Sequence, residues 1–181
     1  VKEAHRKDFE LVKKATAGDN FAFGIIVRRY EGLVAKTVMG MLGNTQEAED
    51  TGQEVFIRFY RAMGQYKGDS ALGTYLTRIA INLSLNALKK QKTRKTNDLG
   101  KMEYQLSGED LTESIDNREV IENALSQLEP EFRSVVVLRL VEGYSTKETA
   151  EILKLPLGTV LSRLSRAQKK LKALLKKELT H

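Results

Sequence analysis

Apolar residues recur at intervals of three and four along almost the whole chain, and alternation with a period of two is scarce, so the pattern predicts helices rather than strands. In the first half, Phe23, Ile26, Tyr30, Val34, Val38 and Met41 form one stripe. Ala48, Val55, Phe59, Ala62 and Tyr66 form a second within EAEDTGQEVFIRFYRAMGQY, and Leu76, Ile79, Ala80, Leu83 and Ala87 form a third. Ahead of these, KDFELVKKATAGD reads as a short helix ended by Gly18. Turn chemistry from Gly, Asn and Asp at AGDN, LGNT and KGDSALG separates the stripes, which predicts a bundle of about four helices over residues 1–96.

Residues 97–117, NDLGKMEYQLSGEDLTESIDN, carry no sustained stripe and read as a polar linker. Helical spacing then resumes through Val120, Ile121, Ala124, Leu125 and Leu128, and again through Val135, Val136 and Leu138. The segments TKETAEIL and KLPLGTVLSRLSRAQKKLKALLKK follow, and Pro130 and Pro156 stand where helices should begin, a position that tolerates proline. The fold class predicted is all-α, with two small helical domains, residues 1–96 and 118–181, joined by the linker at 97–117.

Charge separates the same three segments. The net charge of +6 divides into +7 over residues 1–96, −5 over 97–117 and +4 over 118–181. Two basic blocks around an acidic tether suit two nucleic-acid-facing domains, although an ordinary solvated linker explains the acidic run equally well. The chain has no Cys and only two histidines, His5 and His181, so thiolate sites, zinc and His-dependent catalysis have almost nothing to build on. No cofactor, metal site, catalytic residue or small-molecule substrate is expected. No run approaches the roughly 20 apolar residues that span a bilayer, and none resembles a signal peptide. The expectation is a soluble cytoplasmic protein without membrane insertion.

The C-terminal segment holds more than amphipathic helices. Ser145 followed by Glu148 makes a capping box that starts a helix. Small Ala150, a turn at Lys154 and apolar Val160 have the spacing of a helix-turn-helix. In the last helix Val160, Leu164, Ala167, Leu171 and Leu174 make the buried stripe, and Ser162, Arg163, Arg166, Lys169 and Lys170 lie elsewhere on its surface. Arg and Lys among short hydroxyl side chains suit phosphates and base edges. A merely solvated helix would normally include acids for i,i+4 pairs, and residues 157–177 contain none.

The third N-terminal stripe has a second face. Tyr75, Arg78, Asn82, Asn86 and Lys89 step by three and four residues, giving a row of aromatic, cationic and amide side chains, and KKQKTRK continues it. That mixture supplies the stacking, backbone neutralisation and base-edge hydrogen bonds that single-stranded nucleic acid calls for. A Tyr75 that only caps the bundle core is the alternative.

With these segments in order, residues 8–178 resemble a bacterial RNA polymerase sigma factor of the extracytoplasmic-function (ECF) group. EAEDTGQEVFIRFYRA is similar to the polymerase-binding helix of that family. YKGDSALGTYLTRIAINLSLNALKKQK is similar to its promoter-melting segment, and LEPEFRSVVVLRLVEGYSTKETAEILKLPLGTVLSRLSRAQKKL to its C-terminal DNA-reading domain. The resemblance implies a transcription initiation factor, not an enzyme, that brings core RNA polymerase to stress or envelope-response promoters and nucleates melting. It places Asp50, Gln53, Glu54 and Phe56 against a clamp coiled coil of the polymerase, where charge complementarity favours the acids. It makes the loop KGDSAL a pocket for a base flipped from the minus-ten element, with Asp69, Ser70, Tyr75, Arg78 and Asn82 beside it; Asn86 and Lys89 extend that DNA face. Arg139, Lys147 and Thr159 would touch minus-thirty-five phosphates. Ser162, Ser165 and Arg166 would face base edges, next to Leu161, Arg163 and Lys169. The acidic linker would thread the polymerase's RNA exit path, and an anti-sigma factor is an expected partner.

Several positions depart from the family pattern. Leu72 and Tyr75 stand at a usual aromatic pair, Asn86 at a common Asp, and Leu161 at a common basic base-reading position. Gly52 interrupts the polymerase-binding helix at about 1 kcal/mol in helix propensity. Lys154 replaces the usual turn glycine, which costs on the order of 1 kcal/mol if φ is positive there. Among rival readings, a stand-alone dimeric helix-turn-helix regulator leaves the Tyr/Arg/Asn row unexplained. A nucleic-acid enzyme lacks a carboxylate cluster with His or metal spacing.

Overall fold

The computed structural model describes residues 2–98 and 117–178. The N-terminal half holds α1 (Lys2–Thr16), α2 (Asn20–Leu42), α3 (Gln46–Ala62) with a 3₁₀ turn at Met63–Gln65, and α4 (Leu72–Asp98). The C-terminal half holds α5 (Asn117–Ser126), α6 (Pro130–Val136) running into a π turn at Val137–Val141, α7 (Thr146–Leu153) and α8 (Leu157–Glu178). The described residues contain no strand. Residues 99–116, most of the predicted linker, lie outside the described residues.

Each break between the first helices is built from the expected turn chemistry. Asp19 caps α2 by accepting the amide of Ala22 at 3.0 Å, and Thr45 caps α3 by accepting that of Ala48 at 3.2 Å. Both satisfy a backbone donor that has no partner inside its helix. The three stripes meet in one core, where Ile26, Val55, Phe59, Leu72, Leu76 and Ala80 are wholly buried. α4 runs on to Asp98, beyond its apolar stripe, so KKQKTR projects as a basic extension of the helix.

In the C-terminal half, Leu125, Leu128, Phe132, Val136 and Ala167 close a second core, with Leu171 and Leu174 packed on it. The segment after Pro130 departs from the plain helix that its spacing predicts. The amide of Glu142 bonds the carbonyl of Val137 at 2.9 Å, an i to i+5 bond. The β-branched run Val135–Val137 is poor in helix propensity, and a π turn inserts one extra residue into the helix. Val137 and Leu138 at its start are both fully buried.

They bury themselves against the other half of the chain. Met41 of α2 and Ile81 of α4 cluster with Val137, Leu138 and Ile152. At Gly40 a side chain would have its Cβ 3.0 and 3.2 Å from the two methyls of Val137, so the glycine lets α2 approach without pushing Val137 back. Polar contacts surround the apolar patch. Arg133 donates to the carbonyl of Met41 at 2.6 Å, Lys36 to that of Val141 at 2.7 Å, and the hydroxyls of Thr77 and Tyr144 lie 3.0 Å apart. The Arg133 guanidinium also bonds the carbonyls of Ser126 and Leu128, so one buried cation ties α2 to the α5–α6 corner.

Candidate nucleic-acid interface

α4 divides its surface three ways. Leu72, Leu76, Ala80 and Leu83 enter the N-terminal core, and Ile81, Leu85 and Leu88 meet the C-terminal helices. The third face is the predicted row. Asn82, Asn86 and Lys89 are exposed, while Arg78 is half-buried, with its Nε enclosed and without a partner among the described residues. Tyr75 is also half-buried, its ring edge-on to Phe59 at 5.9 Å and to Tyr66 at 5.2 Å. The tyrosine therefore packs on the bundle core while it flanks the row.

The loop before α4 is tied down by a residue that sequence spacing placed only in the core. The Tyr66 hydroxyl donates to the carbonyl of Ser70 at 2.7 Å and closes a ring around Lys67–Asp69. Burial pushes the Tyr66 phenol up to about 12, with the charges of Asp8 and Asp69 adding to the shift, so it stays a protonated donor at neutral pH. Asp69 is exposed and Ser70 half-buried at the loop's end.

α3 forms a ridge between two grooves. Asp50 and Glu54 face α4 across a groove whose opposite wall carries Asn86, Lys89, Lys90 and Arg94, an acidic side against a basic one. Gln53 and Phe56 line a groove of about 280 Å³ between α2 and α3, with Val27, Val34 and Val38 along it. The four predicted polymerase contacts therefore straddle the ridge. Glu54 pairs with Arg58 at 2.9 Å and Asp50 accepts from Gln46 at 3.1 Å, both on the same helix. Gly52 lies in the second groove, where a Cβ would meet Val38 at an ordinary 3.8 Å, so its lack of a side chain deepens the groove rather than avoiding a clash.

The helix-turn-helix has the predicted local chemistry. The Ser145 hydroxyl accepts the amide of Glu148 at 3.2 Å, and the Glu148 carboxylate accepts that of Ser145 at 2.8 Å. These bonds hold the Glu148 carboxyl below its ordinary range. Lys154 closes α7 in the left-handed conformation, φ 53° and ψ 46°, the one non-glycine with positive φ among the described residues. On α8, Val160 and Ala167 are wholly buried, with Leu164, Leu171 and Leu174 half-buried beside them.

Leu161, Ser162, Ser165, Arg166 and Lys169 are all exposed on the outer side of α8, as is Lys147 on α7. Thr159 is half-buried at the start of α8, and its carbonyl accepts the Ser162 hydroxyl at 3.0 Å. Two of the predicted arginines are engaged within the fold. Arg163 turns back to Glu131 at 3.3 Å, and Arg139 donates to the carbonyl of Tyr144 with its Nε enclosed. Lys170 likewise pairs with Glu129 and lies over the Phe132 ring. The acids that hold Arg163 and Lys170 are at the start of α6, more than thirty residues away, which spacing within α8 could not reveal.

Among the described residues no group of His, Asp and Glu could hold a metal ion, and no helix is long and apolar enough to cross a membrane. Residues 26–94 match the sigma-70 region 2 model and residues 118–171 the sigma-70 region 4 model. The RNA polymerase sigma-H factor of Pseudomonas aeruginosa is 32% identical over 174 residues, 90% of each chain. The ECF RNA polymerase sigma-E factor of Escherichia coli K12 is 34% identical over 173 residues, 89% of this chain and 90% of the relative. In fold, the chain is similar to CnrH in complex with the cytosolic domain of CnrY, with TM-score 0.67, 24% identity and 94% and 97% of the two chains covered. It is also similar to the sigma factor RpoE of Bartonella quintana in complex with the anti-sigma factor NepR, with TM-score 0.70, 21% identity and 85% and 96% covered.

Proposed function

For a chain that belongs to the ECF group of the sigma-70 family, we propose the following division of labour among its surfaces. The protein is a transcription initiation factor rather than an enzyme: it binds core RNA polymerase and directs it to specific promoters. Residues 1–96 dock on the polymerase through Asp50, Gln53, Glu54 and Phe56 and take the minus-ten element on the loop and the row, Asp69, Ser70, Tyr75, Arg78, Asn82, Asn86 and Lys89. Residues 97–117 tether them to residues 118–181, which read the minus-thirty-five duplex with the outer side of α8.

The observation that carries this reading is the outward face of α8. Five side chains of the right chemistry, Leu161, Ser162, Ser165, Arg166 and Lys169, are exposed together, while Arg163 and Lys170 of the same stretch are tied to Glu131 and Glu129. Ser and Arg offer hydrogen bonds to base edges, and Leu161 offers an apolar contact for a thymine methyl. Arg139 is held by the Tyr144 carbonyl and half-buried, so its contribution to phosphate binding is to orient the capped start of α7, where Glu148 lies beside it. The proposed targets are stress or envelope-response genes, read in the cytoplasm. An anti-sigma partner is proposed on the likeness to RpoE, which is solved with NepR.

The test is to mix the purified chain with core polymerase and a randomised promoter library. Holoenzyme formation with start-site-specific transcription is expected. Operator binding without polymerase, together with no effect on polymerase, would sink the proposal.

A further inference from the structure

We propose that Phe9 is a positioning residue for minus-ten recognition: from α1, it holds the loop that receives the extruded base. The inference rests on the reading of the loop at Lys67–Ser70 as that pocket. α1 lies outside the region that matches the sigma-70 region 2 model, residues 26–94, so nothing in that match assigns it a part in DNA binding.

The geometry is specific to two residues. Gly68 has φ of +78°, a conformation that side chains other than glycine rarely adopt, and a Cβ there would stand 3.0 and 3.2 Å from Cδ2 and Cε2 of Phe9. The aromatic edge therefore lies directly on the loop's backbone, so close that a side chain at position 68 would push the ring back by a few tenths of an ångström. The same ring is 6.1 Å from Tyr66, tilted by 58°, and Tyr66 closes the loop through its bond to the Ser70 carbonyl. Tyr66 in turn meets Tyr75 of α4 at 5.2 Å. Ring contacts thus run from Phe9 of α1 through Tyr66 to Tyr75 of α4, with Phe9 the ring that lies against Gly68.

Rigidity at this place has a use. Extruding a base costs a few kcal/mol of stacking, and contacts in the pocket offset that only if they are in position beforehand. Asp69 and Ser70 sit on a short loop that the Tyr66 hydroxyl ties at Ser70 only, while Gly68 has no side chain of its own to pack. Phe9 supplies that packing from another helix.

The experiment reads three affinities: that of the full chain for core polymerase, and those of the holoenzyme so formed for a minus-thirty-five duplex and for a single strand carrying the minus-ten element. Both DNA probes come from the strongest promoter selected from a randomised library. Phe9→Ala should weaken single-strand binding about 10-fold and leave duplex and polymerase binding within about 2-fold, and Phe9→Leu, which can still cover Gly68, should restore most of the loss. Gly68→Ala should also weaken it, and less so when combined with Phe9→Leu than the two single effects multiply to, because the smaller side chain relieves the contact. Unchanged single-strand affinity in Phe9→Ala would overturn the proposal, as would equal loss in all three affinities or strictly multiplicative effects in the double variant. Asp69→Ala and Asn82→Ala serve to separate the two inferences. If they weaken single-strand binding while Phe9→Ala does not, the buttress fails alone; if none of the three does, the loop is not the pocket.

Discussion

Replacing Lys154 by glycine isolates the backbone strain in the helix-turn-helix. Lys154 adopts φ 53° and ψ 46° at the C-terminus of α7, and its amide bonds the carbonyl of Ala150. The left-handed conformation costs an L-residue about 1–2 kcal/mol through the crowding of Cβ against the carbonyl oxygen. Glycine removes that crowding but brings about 0.5–1 kcal/mol of extra chain entropy to be lost on folding. The lysine charge near the helix C-terminus is worth about 0.3 kcal/mol at an exposed site. The balance favours glycine by about 0.2–0.7 kcal/mol, rising to about 0.5–1 kcal/mol in salt that screens the charge. In screening salt that corresponds to a rise in Tm of about 2–8 °C if α5–α8 unfold as their own unit, and about half that if the whole chain unfolds together. Thermal and urea denaturation followed by circular dichroism measure it. Lys154→Ala is the control, since it removes the charge and keeps the Cβ, and it should bring no gain. A Lys154→Gly protein no more stable than wild type, or an alanine variant equally stabilised, would refute the assignment of strain to this turn.

Other expectations concern the surfaces and the seam between the halves. Glu54→Lys should reduce holoenzyme affinity at least 10-fold, while the new like-charge neighbour, Arg58, costs only about 0.3–0.5 kcal/mol of helix stability; affinity by fluorescence anisotropy and Tm report the two separately, and unchanged affinity would rule out this docking surface. Arg166→Ala should cost about 1–3 kcal/mol in minus-thirty-five duplex binding and spare polymerase binding; equal loss in both assays would indicate misfolding instead. Gly40→Val should force α2 away from Val137, at about 1–3 kcal/mol of overpacking, and increase the radius of gyration in small-angle scattering; an unchanged profile and unchanged stability would contradict the close approach. Glu148 has its folded pKa lowered by the Ser145 hydroxyl and amide, so the stabilisation is present above the ordinary carboxylate range and is lost as pH falls through the lowered value. Glu148→Gln keeps an acceptor and does not titrate, so its helix content should fall less than that of wild type between about pH 5 and 3; identical acid titrations would show that the capping box contributes nothing.

How much of this was legible beforehand depends on the distance along the chain over which each feature is made. The apolar stripes, the turns at AGDN and LGNT, the capping box at Ser145 and Glu148 and the turn at Lys154 are set by neighbours three to five residues apart, and their places were read from spacing. That Asp19 and Thr45 supply the caps, and that Lys154 is left-handed, came from the structure. Spacing also places the exposed set on α8, because Val160, Leu164 and Ala167 fix the helix's phase and leave Leu161, Ser162, Ser165, Arg166 and Lys169 outward. The π turn is a partial case. The run Val135–Val137 signals a weak helix, but where the extra residue goes is seen only in the structure, in the bond of the Glu142 amide to the Val137 carbonyl.

Sequence alone determined that the described segments are helical, which face of each helix is apolar, and that the last two helices form a helix-turn-helix with a polar, basic outer side. The tertiary structure decided which charges are spoken for. A solvated arginine and a paired one look identical in a sequence, so Arg163 and Arg139 could not be told from Arg166 until Glu131 and the Tyr144 carbonyl were in place. It also decided that Arg133 bonds the carbonyl of Met41, 92 positions away, and that Phe9 lies on Gly68. Local backbone preference carries no information about such partners, because they are brought together only when separate apolar faces find a common core and the polar groups at its edge must be satisfied by whatever arrives beside them.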